Sequence, residues 1–337
     1  MKGRGRSEVK RQASSRQLAV AAFTGLLSFS AATAGEDWRG ALLAVPVILA
    51  VARCWERLGK DWMSRLGRPA QTALGLLYAA WAVVLSGAIL AAAGSRITAP
   101  AGRDIGWAIA LLWAPVLLLT RKSCSAYGRA AEIFYLAMLA AVTFVLVMGA
   151  RQIRPERLLK PSDGFWTSVV TASGVGCSAV AAVILWRGNE KEGRPRWFAW
   201  SGSLAALTLL MRVVTVGVLG PTLAGEQERP FFLMAVGLGQ TARVEGLVGA
   251  IWLLADITLA GLLMQCGKRV WMLPGKNWSS WVLPIAGLGT SLLLSRTGVT
   301  GFCLEEVLPI VGLVLGGAVP VAYCLGGADN TRFTAKK

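Results

Sequence analysis

The segment Thr171-Ala172-Ser173-Gly174-Val175-Gly176-Cys177-Ser178 lies in the middle of an apolar stretch that runs from residue 165 to residue 186. Two glycines flanked by small hydroxylated residues weaken a helix and let a second backbone or a ligand approach closely. The segment therefore has two interpretations. It is either a helix break of the kind that forms binding sites in inverted-repeat transporters, or a place where membrane helices pack closely.

This stretch is the sixth of about ten apolar segments in the chain. Crossing a hydrocarbon core of about 30 Å takes about 20 helical residues. The sequence therefore predicts an all-α integral membrane protein with about ten transmembrane helices. We place them at residues 17–34, 40–52, 70–93, 105–120, 130–150, 165–186, 197–219, 244–266, 278–294 and 307–325.

The composition agrees with a membrane domain that fills most of the chain. Of its 337 residues, 55% are hydrophobic and 16% are charged, whereas soluble domains carry about 25% charged residues. We expect a basic cytoplasmic N-terminus at 1–16, a single membrane domain at 17–325 and a cytoplasmic tail at 326–337.

The net charge of +17 is distributed by loop, which argues against nucleic-acid binding. Of the 35 Lys and Arg residues, 24 lie in the two termini and in every second loop. The positive-inside rule therefore predicts that both termini are cytoplasmic. The loop at 151–164 is the exception, because it carries four basic residues on the opposite side. It is either misplaced or a surface for a partner or lipid.

The sequence offers no signature of catalysis or metal binding. It contains no histidine, and none of its six cysteines forms a CxxC pair. No phosphate-binding GxxxxGK[ST], metalloprotease HExxH, nucleophile GxSxG or dinucleotide GxGxxG motif occurs. We therefore expect neither an enzyme nor a cofactor.

The first apolar segment has two interpretations. Six basic residues, an apolar run from Leu18 to Ser30 and the small residues 32–34 resemble a secretory signal with its cleavage site. A first transmembrane helix is favoured, because the run contains polar residues such as Thr24 and Ser28 and a multispanning protein needs no cleaved signal.

Two charged residues fall inside predicted spans, where burial of a charge costs about 2.5–3.5 kcal/mol on insertion scales. Asp256 lies near the middle of the eighth span and Arg212 lies in the seventh. Because the two helices are consecutive and antiparallel, a long arginine side chain could reach the carboxylate. The candidate ion pair Arg212–Asp256 is either structural or part of a ligand pathway.

The first and sixth spans also correspond to each other if ten helices form two halves of five. The first span contains Thr24-Gly25 followed by Ser28, and the sixth contains the glycines quoted above. Inverted-repeat transporters place discontinuous helices at such corresponding positions.

Several segments resemble the spore germination permeases, the B subunits of nutrient germinant receptors within the amino acid–polyamine–organocation superfamily. The segment Val216–Pro221 has the sequence VGVLGP, and its last five residues are similar to the family's GVFGP element at the end of helix 7. The similar segments are Ser14–Leu18, Val216–Pro221, Pro230–Phe232, Arg243–Leu247 and Ile251–Leu254. The chain departs from the family in keeping only Gly25 of the usual helix 1 glycines and in carrying Asp256 on helix 8.

The resemblance implies a five-plus-five inverted-repeat fold of the LeuT type, located in the inner membrane of the spore. It implies a pocket between helices 1, 3, 6 and 8 for a small amino-acid-like nutrient. The pocket residues would be Thr24, Gly25, Ser28, Ser173, Gly174, Gly176 and Asp256. It also implies two partners, a receptor A subunit and a lipoprotein C subunit. A working secondary amino acid transporter and a non-transporting scaffold subunit are the alternatives.

Overall fold

A computed structural model describes residues 15–32, 37–58, 62–98, 104–122, 124–160, 164–186, 197–227, 230–238, 245–272 and 281–334. Ten main helices account for most of these residues, which contain no strand. They are α1 Ser15–Ala32, α2 Trp38–Leu58, α3 Arg68–Thr98, α4 Ile105–Arg121, α5 Cys124–Ala150, α6 Phe165–Trp186, α7 Trp197–Leu219, α8 Glu245–Met272, α9 Val282–Thr297 and α10 at 300–334.

Four short helices connect the main ones, at Trp62–Arg65, Pro155–Leu159, Pro221–Glu226 and Pro230–Leu238. Each of the ten predicted spans corresponds to one main helix. Helices α6 and α7 have the predicted bounds, whereas α2 and α3 are longer than the apolar segments that predicted them because both extend into polar residues. Most of the predicted basic N-terminus and the last three residues of the predicted tail lie outside the described part, and α10 continues to Thr334.

Six of these helices are long and apolar enough to cross a membrane: α3, α5, α6, α7, α8 and α10. The helices α4 and α9 are shorter apolar helices. Large hydrophobic side chains are exposed on the outside of the bundle, for example Leu111, Leu118, Ile133 and Leu136. Such a surface suits lipid rather than water, which confirms the prediction of a multispanning membrane protein.

Many of the helix contacts repeat when each helix number is shifted by five, although the α1–α8 contact has no comparably extensive α3–α6 counterpart among the described residues. The packing of α1 on α5 is matched by that of α6 on α10, and the packing of α3 on α9 by that of α8 on α4. The α2–α6 contact is matched by the α7–α1 contact. The same shift of five exchanges the two helices within each of three further contacting pairs, α2–α7, α3–α8 and α1–α6. This pattern confirms the predicted five-plus-five inverted repeat.

The centre of the bundle is the interface between α3 and α8. From Gly75 to Gly94, most residues of α3 are buried, and α8 buries an unbroken series from Ala255 to Gly267. We call the end of the bundle that carries the α1–α2, α3–α4, α5–α6, α7–α8 and α9–α10 connections the outer end. The positive-inside rule predicts that it faces away from the cytoplasm.

Two wider π-helical turns interrupt α10, at Cys303–Val307 and Leu313–Ala318. A π turn leaves a backbone carbonyl without its helical donor, and such turns are frequent at functional sites. Here buried aromatic side chains supply the donors. The Trp55 indole donates to the Gly316 carbonyl at 2.8 Å, and the Tyr78 hydroxyl donates to the Leu315 carbonyl at 2.7 Å. The side chains of α2 and α3 thus hold α10 in its unusual shape.

The basic loop at 151–164 packs against the outer ends of two helices. The Arg154 amide donates to the Gly217 carbonyl at 3.0 Å. From α2, the Trp38 indole donates to the Leu158 carbonyl at 3.2 Å. The described part of the loop is therefore a structural cover over α2 and α7, while the membrane side on which it lies stays a prediction.

Candidate functional site

A buried ion pair joins the two central helices near the outer end. The Arg96 guanidinium on α3 contacts the Asp256 carboxylate on α8, and their side chains are 14% and 4% exposed. The ring of Phe232, on the short helix Pro230–Leu238, lies 6.0 Å from the Arg96 guanidinium carbon. A cation facing an aromatic ring in a desolvated site is further stabilised by the ring's electrons.

The structure shows a partner of Asp256 that the sequence analysis did not select, while the expected Arg212–Asp256 pair stays a prediction. Arg212 is buried on α7 (2% exposed), but in the described part of the chain α8 packs closely on α1, α3, α4, α5 and α6 rather than on α7. Helix α8 takes most of its contacts from helices that are distant from it in the chain, so sequence order is a weak guide to proximity for this helix.

Arg96 was missed because the apolar run of α3 ends at Ala93, so residues 94–104 were assigned to a loop. The helix instead continues to Thr98, which carries Arg96 into the bundle on the last turn. The signal in the sequence was weak but present. Gly94, Ser95, Ile97 and Thr98 are small or apolar, and an arginine among them is compatible with continued burial.

Helix α1 reaches this site as an unbroken helix. Within the described residues, Thr24 is fully buried and its hydroxyl donates to the Val20 carbonyl of the preceding turn at 2.9 Å. A Cβ on Gly25 would lie 2.9 Å from the Leu259 Cα of α8. Gly25 is thus a close-packing residue that brings α1 against α8, one turn from Asp256. The helix is therefore continuous at Gly25, and close packing rather than a helix break applies there.

Helix α6 is also unbroken through its two glycines. A Cβ on Gly174 would overlap the Pro309 carbonyl of α10, and one on Gly176 would overlap Ile48 of α2. Both glycines therefore face neighbouring helices, and of the two interpretations the close-packing one is correct. Continuous hydrogen bonding within α1 and α6 also means that neither helix offers free backbone groups to a ligand at these positions.

The two remaining residues of the predicted pocket are Ser173 and Ser28. Ser173 is 3% exposed, and its hydroxyl has no hydrogen-bond partner among the described residues. Ser28 lies in α1, but its side chain is outside the described part. The structure therefore brings α1 and Asp256 together, and it adds Arg96 and Phe232, which the sequence analysis did not select.

The site places a positive and a negative side chain next to each other. It holds one guanidinium and one carboxylate between packed helices. In the part of the chain that the structure describes, no three cysteine or acidic residues lie together in a group that could hold a metal ion. The arrangement offers one partner for an ammonium group and one for a carboxylate.

The solved structures provide a comparison for this helix arrangement. The chain resembles the structure titled "Crystal structure of MhsT in complex with L-phenylalanine" with a TM-score of 0.64 and 15% sequence identity. The alignment covers 95% of this chain and 93% of that chain. The chain shares the fold of MhsT.

At this level of identity, the likeness to MhsT establishes the fold and nothing finer. It supports the inverted-repeat architecture that the helix contacts show independently. Neither a protein-family model nor a curated protein sequence matches the chain. The resemblance of individual segments to spore germination permeases is thus not accompanied by a match to any family model.

Proposed function

We propose that this chain is a non-enzymatic permease-like membrane protein that binds a small amino-acid-like nutrient at the Arg96–Asp256 pair. The observation that carries the proposal is the position of that pair. It lies between the central helices α3 and α8, beside the contact of α1 with α8, in a fold shared with a protein crystallised with an amino acid.

An amino acid carries one positive and one negative group. Each group can therefore bind one member of the ion pair in place of that member's present partner. Its ammonium group would bind the Asp256 carboxylate, and its carboxylate would bind the Arg96 guanidinium in a bidentate manner. Phe232 would cover the site from the outer end. In this arrangement side chains perform the recognition, because the backbones of α1 and α6 are fully engaged.

The same backbone continuity favours sensing over transport. Movement of α6 relative to α10 would break contacts in which glycine carbonyls and side chains touch directly. We therefore infer a germinant-sensing role, as the B subunit of a receptor with an A subunit and a lipoprotein C subunit in the inner spore membrane. The segments that resemble spore germination permeases support this narrower role.

Binding to the purified protein tests the nutrient site. We expect one or more of the twenty L-amino acids to raise the thermal unfolding midpoint and to bind saturably in calorimetry. Asp256→Asn should weaken this binding at least about thirtyfold, because truncating one partner of a buried charge pair costs about 2–5 kcal/mol. Glu56→Gln is the matched control, since Glu56 forms its ion pair with Arg53 near the cytoplasmic end of α2.

Two further measurements separate folding from binding and sensing from transport. If Asp256→Asn fails to fold, the exchanged pair Arg96→Asp with Asp256→Arg should recover expression but not ligand binding. Binding that survives in Asp256→Asn would exclude this site. Saturable accumulation of the bound amino acid in proteoliposomes would favour a working transporter, and absence of any amino acid binding would favour a scaffold subunit.

A further inference from the structure

The loop between α5 and α6 carries basic side chains that the nutrient site does not use. Of residues 151–160 one is acidic, Glu156, and four are basic: Arg151, Arg154, Arg157 and Lys160. Three of the four basic residues are exposed, and Arg157 is half-buried. None of the four forms an ion pair with another residue in the described part of the chain. We call these four residues the basic surface, and its positive charge is open to a ligand at the outer end.

The backbone that carries the basic surface is held at both ends of its short helix. At the N-terminal end, the Arg154 amide donates to the Gly217 carbonyl of α7 at 3.0 Å. At the C-terminal end, the Arg39 guanidinium of α2 donates to the Leu158 carbonyl at 3.4 Å and to the Leu159 carbonyl at 3.3 Å. Arg39 thereby adds a further positive charge beside the loop. Because this backbone is already ordered, a ligand has to order only side chains when it binds.

Two large apolar side chains are exposed next to the basic surface. Leu159 of the loop is 75% exposed, and Trp166 in the first turn of α6 is 72% exposed. The start of α2 joins the two positions, because Arg39 holds the Leu159 carbonyl. The next residue, Gly40, packs so closely on α6 that a Cβ there would lie 2.7 Å from the Phe165 carbonyl oxygen. Tryptophan is enriched where the hydrocarbon of a bilayer meets the headgroups.

We infer that the basic surface binds the headgroup of an anionic phospholipid. A headgroup phosphate carries negative charge on oxygen acceptors, and guanidinium groups bind such a phosphate through paired hydrogen bonds. Basic residues close to an anionic bilayer each add to the attraction. The acyl chains of the same lipid lie along Leu159 and Trp166. A segment with acidic residues alone matches the charges but not this apolar pair. The proposal also gives a reason for four basic residues on a loop where the positive-inside rule expects few.

The test uses the full chain in phosphatidylcholine nanodiscs that contain a small amount of photoactivatable lipid. The probe is either phosphatidylglycerol or phosphatidylcholine with the same acyl chains, and cross-linked peptides are quantified by mass spectrometry. We define the labelling ratio as labelling of residues 151–170 by the first probe divided by labelling by the second. We expect a ratio of about ten or more, because several basic residues act together. Raised salt should lower the ratio, since ions screen exposed charges.

Two variants with the same change of net charge locate the effect. The basic-surface variant combines Arg151→Gln, Arg154→Gln and Lys160→Gln. It should lower the labelling ratio to about one, because the attraction grows with each basic residue. The control variant removes three exposed charges at the opposite end of the bundle, Arg65→Gln, Arg68→Gln and Lys122→Gln. It should leave the ratio unchanged. If the basic-surface variant fails to fold, the salt dependence of the unmodified chain decides.

Three results would overturn the proposal: a labelling ratio near one in the unmodified chain, a ratio that salt does not change, or an equal loss of labelling in both variants. Saturable binding of a polyglutamate peptide together with a ratio near one would assign the surface to an acidic protein segment instead. The outcome is independent of the nutrient site, because Asp256→Asn should leave the labelling ratio unchanged.

Discussion

The repeat-related helix pairs α1–α5 and α6–α10 occupy equivalent positions but are held together differently. In the first pair the contacts are between side chains. Phe23 packs edge-on against Tyr135 with ring centroids 5.8 Å apart, and Arg16 lies 3.8 Å from Glu132 near the predicted cytoplasmic surface. Among the described residues of this pair, Gly128 is the glycine that packs closely, and it faces the side chain of Gln17.

In the second pair the backbones themselves touch. A Cβ on Gly312 would overlap the Ser178 hydroxyl, and one on Gly316 would overlap the Cys177 carbonyl. Small residues that recur every four positions allow this approach in membrane helices. The difference shows that equivalent helix pairs of the two repeats can be joined through side chains in one half and through backbones in the other.

The largest predicted effect comes from breaking the α6–α10 contact. Gly312→Val places two methyl groups where the Ser178 side chain and the Gly174 carbonyl lie, so the helices must separate. We expect a loss of about 3 kcal/mol or more, as in severe overpacking. The measurement is the fraction of monodisperse protein after heating, by fluorescence-detected size-exclusion chromatography.

Gly289→Val is the matched control for this substitution, since Gly289 lies inside α9 and a Cβ there would have no atom within 4 Å. Equal stability of the two variants would mean that α10 can move away from α6 at little cost. The inference that α6 is fixed would then be lost.

This contact also shows what the sequence could predict. Periodic apolar segments were sufficient for the helix number, because this depends on bilayer thickness. The inverted repeat was implied by the resemblance to spore germination permeases and not by the apolar pattern. The sequence near Gly174 identified a special position but left two interpretations. Deciding between them required the partner helix, and Pro309 lies 135 positions away in the chain.

The second prediction concerns the aromatic donors that support α10. Tyr78→Phe removes the hydroxyl that donates to the Leu315 carbonyl and leaves a buried acceptor in the π turn. The expected loss of stability is about 1–3 kcal/mol, the cost of an unsatisfied buried polar group. Denaturant titration in detergent measures it. Tyr135→Phe is the control in the α1–α5 pair, and a larger effect there would contradict the assigned role of Tyr78.

The candidate site illustrates a different limit of sequence reasoning. Asp256 was identified correctly as a buried charge, because an aspartate inside an apolar segment is conspicuous. The contact of Asp256 with Arg96 was not identified, since it depends on which helices pack together. The fold places α3 against α8, and the Arg212–Asp256 pair stays a prediction.

The third prediction measures how strongly side chains alone join α1 to α5. A double-mutant cycle with Phe23→Ala and Tyr135→Ala should give a coupling energy of about 0.5–1.5 kcal/mol, as found for edge-to-face aromatic pairs. Unfolding midpoints and denaturant titrations of the four proteins provide the values. Coupling well above this range would mean that α1 is fixed as firmly as α6.

The smallest predicted effect is at the polar end of the same pair. Arg16 is 86% exposed and Glu132 is 33% exposed, and exposed ion pairs contribute about 0–1 kcal/mol. Glu132→Gln should therefore lower stability only slightly, and the difference should shrink as salt is raised, because ions screen the interaction. A large, salt-independent loss would show instead that this end anchors α1.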